Sequence, residues 1–363
     1  MTQTHSTKTF HIVVTGGDGI GPEVCDQSVR LIEALQSHFT GVRYDLDHRE
    51  IGVGQYQKSG AALPDDAFAA CQNADAILLG AMGLPNVRYP DGREIAPQLD
   101  LRERLNLYGG VRPIRLFHQD DSPLKKYDAG DIDFVLVRES TEGLFAGRGT
   151  PVDLSDDVVE NVLRVSREGC RRVCDLAFRW ARRRDGMKKV SLIDKANVLG
   201  TMVYFRHIFD EVAADYPDIT AEHVYIDATA LYLVQRPETF DVLVTENMFG
   251  DILSDLSAGL VGGMGMAPSG DIGDTAAVFQ PSHGSAPDIA GRGIANPVAM
   301  HLSTAMMLRW LDDDQSRAAG EALDRAIAAT LADRSHRTPD MGGSLGTAEM
   351  TDRVLECLSE DLS

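Results

Sequence analysis

An alternation of two patterns limits what this chain can fold into. Short apolar, β-branched runs occur at 11–15, 43–48, 76–80, 133–138, 189–193, 222–226 and 241–244. Between and after them lie stretches whose apolar residues recur at helical spacing. These run from the glycine turn at 17–21 to about Leu35, then over 64–72, 98–106, 156–183, 199–213, 229–235, 249–260, 297–311, 317–332 and 347–359. Parallel strands need crossover connections, so strands that alternate with helices predict an α/β architecture with a largely parallel sheet. A length of 363 residues gives room for two domains or one large unit. No short-period repeat or low-complexity linker divides the chain. Residues 82–97 and 262–296 are rich in glycine and proline and too long for simple turns, which suits binding loops.

Charge narrows the class of partner. The formal net charge is −20, which argues against nucleic acid and against an anionic membrane. No apolar run approaches twenty residues, so no transmembrane helix is expected. The opening MTQTHSTKTF lacks the apolar core of a secretory signal and reads as a frayed tail. Five cysteines, at 25, 71, 170, 174 and 357, show neither metal spacing nor a disulfide framework. Free thiols in a reducing cytoplasm are the expectation. The arginine-rich run 179–184 ends a long helix, where cations complement the helix dipole.

Two local patterns carry chemistry. Asp251 and Asp255 sit four apart on a helix that follows the strand at 242–244, so both carboxylates project from one face. Ile252, Leu253, Leu256 and Leu260 are expected to fill the other face. Two carboxylates one turn apart make a hard, all-oxygen site suited to Mg²⁺ or Mn²⁺, although such pairs are more often solvated surface. Gly17, Gly19 and Gly21 follow a strand and open a helix. Their spacing is wrong for the dinucleotide fingerprint, and with Pro22 they read as a tight turn with proline near the first helical position.

Taken together, GDGIGPEV (17–24), LRERLNLYGGVRP (101–113), RESTEGLF (138–145), IDKANVL (193–199), TENMFGDILSD (245–255) and HGSAPDIAGRGIANP (283–297) resemble the β-decarboxylating dehydrogenases. That family comprises isocitrate, 3-isopropylmalate, homoisocitrate and tartrate/D-malate dehydrogenases. The resemblance covers about residues 9–360 and implies a two-domain isopropylmalate-dehydrogenase-like fold, not a standard Rossmann fold. One domain would join 1–107 with 262–363, and 108–261 would form the second. It further implies a homodimer whose active sites are shared between subunits.

The resemblance also implies roles. Asp251 and Asp255 match metal ligands, and Asp227 matches the ligand given by the partner subunit, though it would serve equally as a helix cap. Arg102, Arg112 and Arg138 fall at carboxylate-binding positions, where guanidinium groups bind bidentately. Lys195 would be the general base, again across the dimer, and Asn197 would contact substrate or nicotinamide. His283, Gly284, Ser285, Ala286, Asp288, Ile289 and Asn296 would form the cofactor-adenosine loop. Asp288 stands where NAD-dependent members carry an acid, which accepts both ribose hydroxyls and repels a 2′-phosphate. NAD is therefore the expected cofactor, together with Mg²⁺ or Mn²⁺.

Two departures matter. Phe145 replaces the family's tyrosine, whose phenol is the usual candidate for protonating the enolate after CO₂ leaves. Ile95, Ala96, Gln98 and Leu99 replace both the Ser/Asn pattern of bacterial isocitrate enzymes and the Leu-Leu pair of an isopropyl pocket. Ile95 and Leu99 suit a branched alkyl group, and Gln98 suits a polar one. The leading expectation is oxidative decarboxylation of 3-isopropylmalate, then homoisocitrate, then tartrate or D-malate. The rivals are a specialised hydroxy-acid dehydrogenase that uses Phe145, and a non-catalytic paralogue. The paralogue predicts lost ligands, yet Asp227, Asp251, Asp255, Lys195 and the three arginines are all present.

Overall fold

The computed structural model describes residues 7–150, 155 and 157–363. The tail at 1–6 and the expected helix start at 156 lie outside the described residues. In chain order the strands are β1 (Lys8–Gly17), β2 (Val42–His48), β3 (Ala76–Ala81), β4 (Gly109–Arg115), β5 (Asp133–Glu139), β6 (Lys189–Asp194), β7 (Thr220–Tyr225), β8 (Val242–Thr245), β9 (Pro268–Ile272) and β10 (Ala277–Pro281). The helices are α1 (Gly21–His38), α2 (Val53–Ser59), α3 (Asp65–Asn73), α4 (Pro97–Arg104), α5 (Arg167–Arg183), α6 (Gly200–Ala213), α7 (Ile226–Gln235), α8 (Asn247–Gly259), α9 (Val298–Trp310), α10 (Asp314–Ala332) and α11 (Thr347–Asp361). The architecture is α/β. Among the described residues no helix is long and apolar enough to cross a membrane.

The chain divides into two compact units. The first holds Met1–Leu105, Gly262–Gly270 and Asp274–Ser363, and the second holds Asn106–Val261 with Asp271–Gly273. In the first unit β1 pairs in parallel with β2 and β3, and β10 pairs in parallel with β3. All six residues of β3, AILLGA, are buried, as expected of a strand covered on both faces. Helix α9 is buried from Val298 to Leu308, so it runs through the interior between α1 and α10.

In the second unit β5, β8, β6 and β7 are parallel neighbours, and β4 lies antiparallel to β5. Phe134, Leu136, Ile193, Leu243, Leu253 and Leu260 share one apolar core beneath α7 and α8. Each such side chain contributes roughly 1.5–3 kcal/mol on burial. Helix α5 begins at Arg167, where the Ser166 hydroxyl accepts the Gly169 N–H at 3.0 Å. The expected helix over 156–183 is thus corrected to its second half. Cys170 and Cys174 are buried free thiols on that helix, and burial pushes Cys170 up to about 12. At its end Arg182 pairs with Asp218, and Arg184 with Asp133 and Asp241, so these cations brace the fold.

Candidate active site

Most chemically loaded side chains of the second unit leave the C-terminal end of a strand or the segment after it, whereas Arg112 stands in the middle of β4. Strand β8 ends at Thr245, whose hydroxyl donates to the Ile193 carbonyl at 2.8 Å. The buried Glu246 carboxylate then caps α8 by accepting the N–H groups of Phe249 (2.7 Å) and Met248 (3.1 Å). That cap aims the first two turns of α8, so Asp251 and Asp255 both face outward on one side. Leu253 and Leu260 are buried on the other side, and Leu256 packs against the same core. Ile252 is corrected: it is 60% exposed and lies outside the inward face.

The two carboxylates do not stand alone. Burial, and then the negative charge of Asp251, hold the Asp255 carboxyl above its usual range, while Arg138 and Arg112 oppose the shift. Arg138 is buried; one amino group donates to Asp251, and Nε and Nη2 donate to Asn247 Oδ1 at 3.0 and 2.7 Å. Its guanidinium also stacks over the Phe145 ring at 5.2 Å. Arg112, equally buried, reaches Asp271 at 3.5 Å. A pair of repelling carboxylates partly out of water is what a divalent cation would neutralise, so these residues fit a hard metal ion.

Lys195 and Asp227 form a second group. Lys195 follows β6 and Asp227 opens α7, and Nζ lies 2.9 Å from Oδ1. The salt bridge holds the Asp227 carboxyl below its usual range. The residue before Lys195, Asp194, pins the start of its loop. That carboxylate is fully buried, accepts both Nε and Nη2 of Arg206 at 2.8 Å, and takes the Ala196 N–H at 3.0 Å. Asn197 is exposed on the same loop. The three expected metal ligands therefore separate into a pair and a single residue. Among the described residues no group of three or more His, Cys, Asp or Glu is gathered to hold a metal.

In the first unit, α4 presents Gln98, Leu99 and Arg102. Gln98 and Leu99 are half-buried and Arg102 is buried. Ile95 is packed inside the first unit. It is 0% exposed and packs with Val53 and Ala62 in a small core flanked by Tyr56, Leu84, Val87 and Tyr89.

The loop at 283–296 is fastened to the first glycine turn. The Ile20 N–H donates to the Ser285 carbonyl at 2.8 Å, and the Ser285 hydroxyl donates to the Gly83 carbonyl. Gly19 has φ +59°, and a Cβ there would stand 1.9 Å from the Ser285 carbonyl oxygen. This close approach explains the glycine. His283 bonds the Gly284 carbonyl through Nδ1 at 2.9 Å, and burial holds its ring below the usual pKa. The Asn296 amide donates to Asp340 at 3.2 Å and its carbonyl accepts the Val298 N–H at 3.1 Å. Ala286 takes φ +36°, Ile289 closes a turn onto its carbonyl, and Gly284 and Asp288 are exposed.

Sequence reasoning missed Asn247, Asp271, Asp194, Arg206 and Asp340. Asn247, Asp271 and Asp340 meet their partners from distant parts of the chain, and Asp194 meets Arg206 twelve residues on, across the turn from β6 into α6, so no helical or strand spacing signals these pairs.

The family model described as isocitrate/isopropylmalate dehydrogenase matches residues 11–354. A 3-isopropylmalate dehydrogenase of Aquifex aeolicus (strain VF5) is 40% identical over 361 residues, covering 97% of this chain and 98% of that protein. A 3-isopropylmalate/3-methylmalate dehydrogenase of Methanocaldococcus jannaschii is 40% identical over 356 residues, covering 96% and 99%. Among solved structures, an isocitrate dehydrogenase from Methylococcus capsulatus is similar at a TM-score of 0.85 with 38% identity, covering 96% of this chain and 99% of that one.

Proposed function

Because this chain belongs to the isocitrate/isopropylmalate dehydrogenase family, we propose that it oxidises and decarboxylates a 3-substituted malate, using NAD⁺ and Mg²⁺ or Mn²⁺. The observation that carries this reading is the gathering of two buried arginines with two outward aspartates in the second unit. Guanidinium groups suit substrate carboxylates, and the aspartates suit a divalent cation. When bound, the cation supplies Lewis-acid polarisation of the substrate oxygens, and NAD⁺ supplies the hydride acceptor.

The chain's own residues take the remaining roles. Arg112 and Arg138, with Arg102, hold the carboxylates. Lys195, oriented by Asp194 and Arg206, removes the hydroxyl proton. Phe145 has no proton to give, so Lys195 or a water returns the proton after CO₂ leaves. Asp227 completes the metal site of a second subunit, consistent with its place apart from Asp251 and Asp255. His283, Ala286, Asp288, Ile289 and Asn296 line the adenosine site, and Gly284 and Ser285 shape its loop. The exposed Asp288 carboxylate favours NAD over NADP. Five free cysteines suit a reducing cytoplasm.

We try 3-isopropylmalate first, which the names of the relatives support, then homoisocitrate, tartrate and D-malate. A second reading, a malate with a polar 3-substituent, is favoured by Gln98. The test is NADH formation by the purified protein with Mn²⁺ and NAD⁺ across these acids and isocitrate, with CO₂ followed in parallel. NADH and CO₂ are expected together from one preferred acid. NADH without CO₂ would mean that Phe145 has altered the second step and would favour the specialised enzyme. Silence on every acid would overturn the proposal.

A further inference from the structure

Arg138 is held on three sides. Its stem lies against bare backbone on α8, where a Cβ at Gly250 would stand 2.7 Å from both the Arg138 Cβ and Cγ. The Phe145 ring covers one face of the guanidinium at 5.2 Å. The edge carrying Nε and Nη2 is met by a single atom, Asn247 Oδ1, at 3.0 and 2.7 Å. Asn247 is itself buried, and its Nδ2 donates to the Glu142 carbonyl at 3.0 Å. The oxygen end of the amide faces donors and the nitrogen end faces an acceptor, so only one orientation satisfies both.

The choice of partner bears on charge. A buried guanidinium is ordinarily paired with a carboxylate, which gives strong bonds and also cancels the positive charge. Asn247 supplies the acceptor and none of the negative charge. The carboxylate that Arg138 does meet, Asp251, is one of the pair that fits a divalent cation. An acid at 247 would stay as a permanent counter-ion. An amide leaves the guanidinium cationic toward an incoming anion.

We infer that Asn247 is a positioning residue for substrate binding. It fixes the Arg138 guanidinium without neutralising it, and so keeps that charge for a substrate carboxylate. The inference rests on the reading of Arg138 as a carboxylate-binding group.

The test begins with calorimetry, which reads the Kd of 3-isopropylmalate, isocitrate and D-malate at saturating Mn²⁺ without NAD⁺. Asn247→Ala releases the guanidinium. Asn247→Asp, equal in size, keeps an acceptor oxygen but brings the counter-charge. Each should raise the Kd of the acid bound best by about tenfold or more, as expected of a hydrogen bond to a charged group. For an acid that turns over, KM should rise by a similar factor and kcat should change less than about threefold, because the carboxylate contact is made equally in ground and transition states. In an Arg138→Gln background Asn247→Ala should add little, because the two residues act as one unit. Urea unfolding and NAD⁺ binding verify that each variant is folded. A merely structural Asn247 would lower stability and leave the Kd alone. An unchanged Kd in either folded variant, or an equal penalty in the Arg138→Gln background, overturns the inference and leaves the dehydrogenase reading intact. If Arg138→Gln binds every acid as tightly as the wild type, the carboxylate role of Arg138 falls and the inference with it. A wild-type protein that binds none of the acids overturns the proposed function as well.

Discussion

His301 lies on α9 with no exposed surface, its two ring nitrogens bonded to Ser28 Oγ at 2.9 Å and Thr351 Oγ1 at 3.0 Å. The ring thereby ties α9 to α1 and α11. Burial, with a smaller push from Arg30, lowers its pKa to about 3. In the unfolded chain the ring protonates near pH 6.5. Below that pH the unfolded state binds one more proton than the folded state. The stability from this neutral ring is therefore complete above about pH 6.5 and declines as pH falls toward 3. The slope is about 1.4 kcal/mol per pH unit, or about 2 kcal/mol between pH 6.5 and pH 5. Urea unfolding of wild type and His301→Gln at pH 7 and pH 5 should show that extra loss in the wild type alone. Equal losses would mean that another group carries the dependence.

Among the elements, α2 and the start of the loop at 82–97 depend on one carboxylate. Buried Asp18 accepts the N–H groups of Val53 and Gly83 through Oδ2 and of Gly54 through Oδ1, each at 2.9 Å. Asp18→Ala leaves these buried donors without their acceptor and should cost about 3 kcal/mol in chemical denaturation. A loss below about 1 kcal/mol would show that other acceptors replace the carboxylate. Little of this was legible in the sequence. Asp18 is read as part of a glycine turn, and α2, with glycine at its second position, carries no clear helical period. Strands β4, β9 and β10 were missed as well; GGVRPIR and PSGDI hold glycine and proline inside the strand, and β10 lies within a stretch read as one long loop. The stretch DVVENVLRV shows the opposite error. Its valines recur at helical spacing, yet Val158 and Val162 are 74% and 77% exposed and no helix forms there. Periodicity specifies a helix only where something covers the apolar stripe. The site divides on the same principle. Asp251 and Asp255 are related by one helical turn and could be read locally. The partners of Arg112 and Arg138 depend on which strands become neighbours.

For the molecule as a whole, the second unit leaves several large apolar side chains exposed. Val198 before α6, Val203 in its first turn, Leu231 and Val234 on α7, and Met248 and Ile252 on α8 are all exposed. Exposed apolar side chains suit the interface of the proposed homodimer. Lys195 lies in the loop before α6 and Asp227 opens α7, and the proposed function assigns both to sites shared in a homodimer. The proposed sharing has a consequence for mixed dimers. Lys195→Ala and Asp251→Asn should each be inactive alone. Unfolded and refolded together, they should regain about one intact site in four, because half the dimers are mixed and each mixed dimer has one unaltered site. Activity that stays absent in verified mixed dimers would place both residues in one subunit's site.

The order of the two units along the chain bears on synthesis. The second unit is complete, but for three residues, at Val261, whereas the first must wait for Ala277–Pro281 to pair with β3 and for α9, α10 and α11 to cover it. A ribosome making this protein therefore holds β1, β2 and β3 with an unpaired edge through the translation of nearly 200 residues between Ala81 and Ala277. At about 5–20 residues per second that interval lasts roughly 10–40 s. The nascent strands are open to wrong pairing throughout it, and the part of the protein begun first is the last to become safe from aggregation.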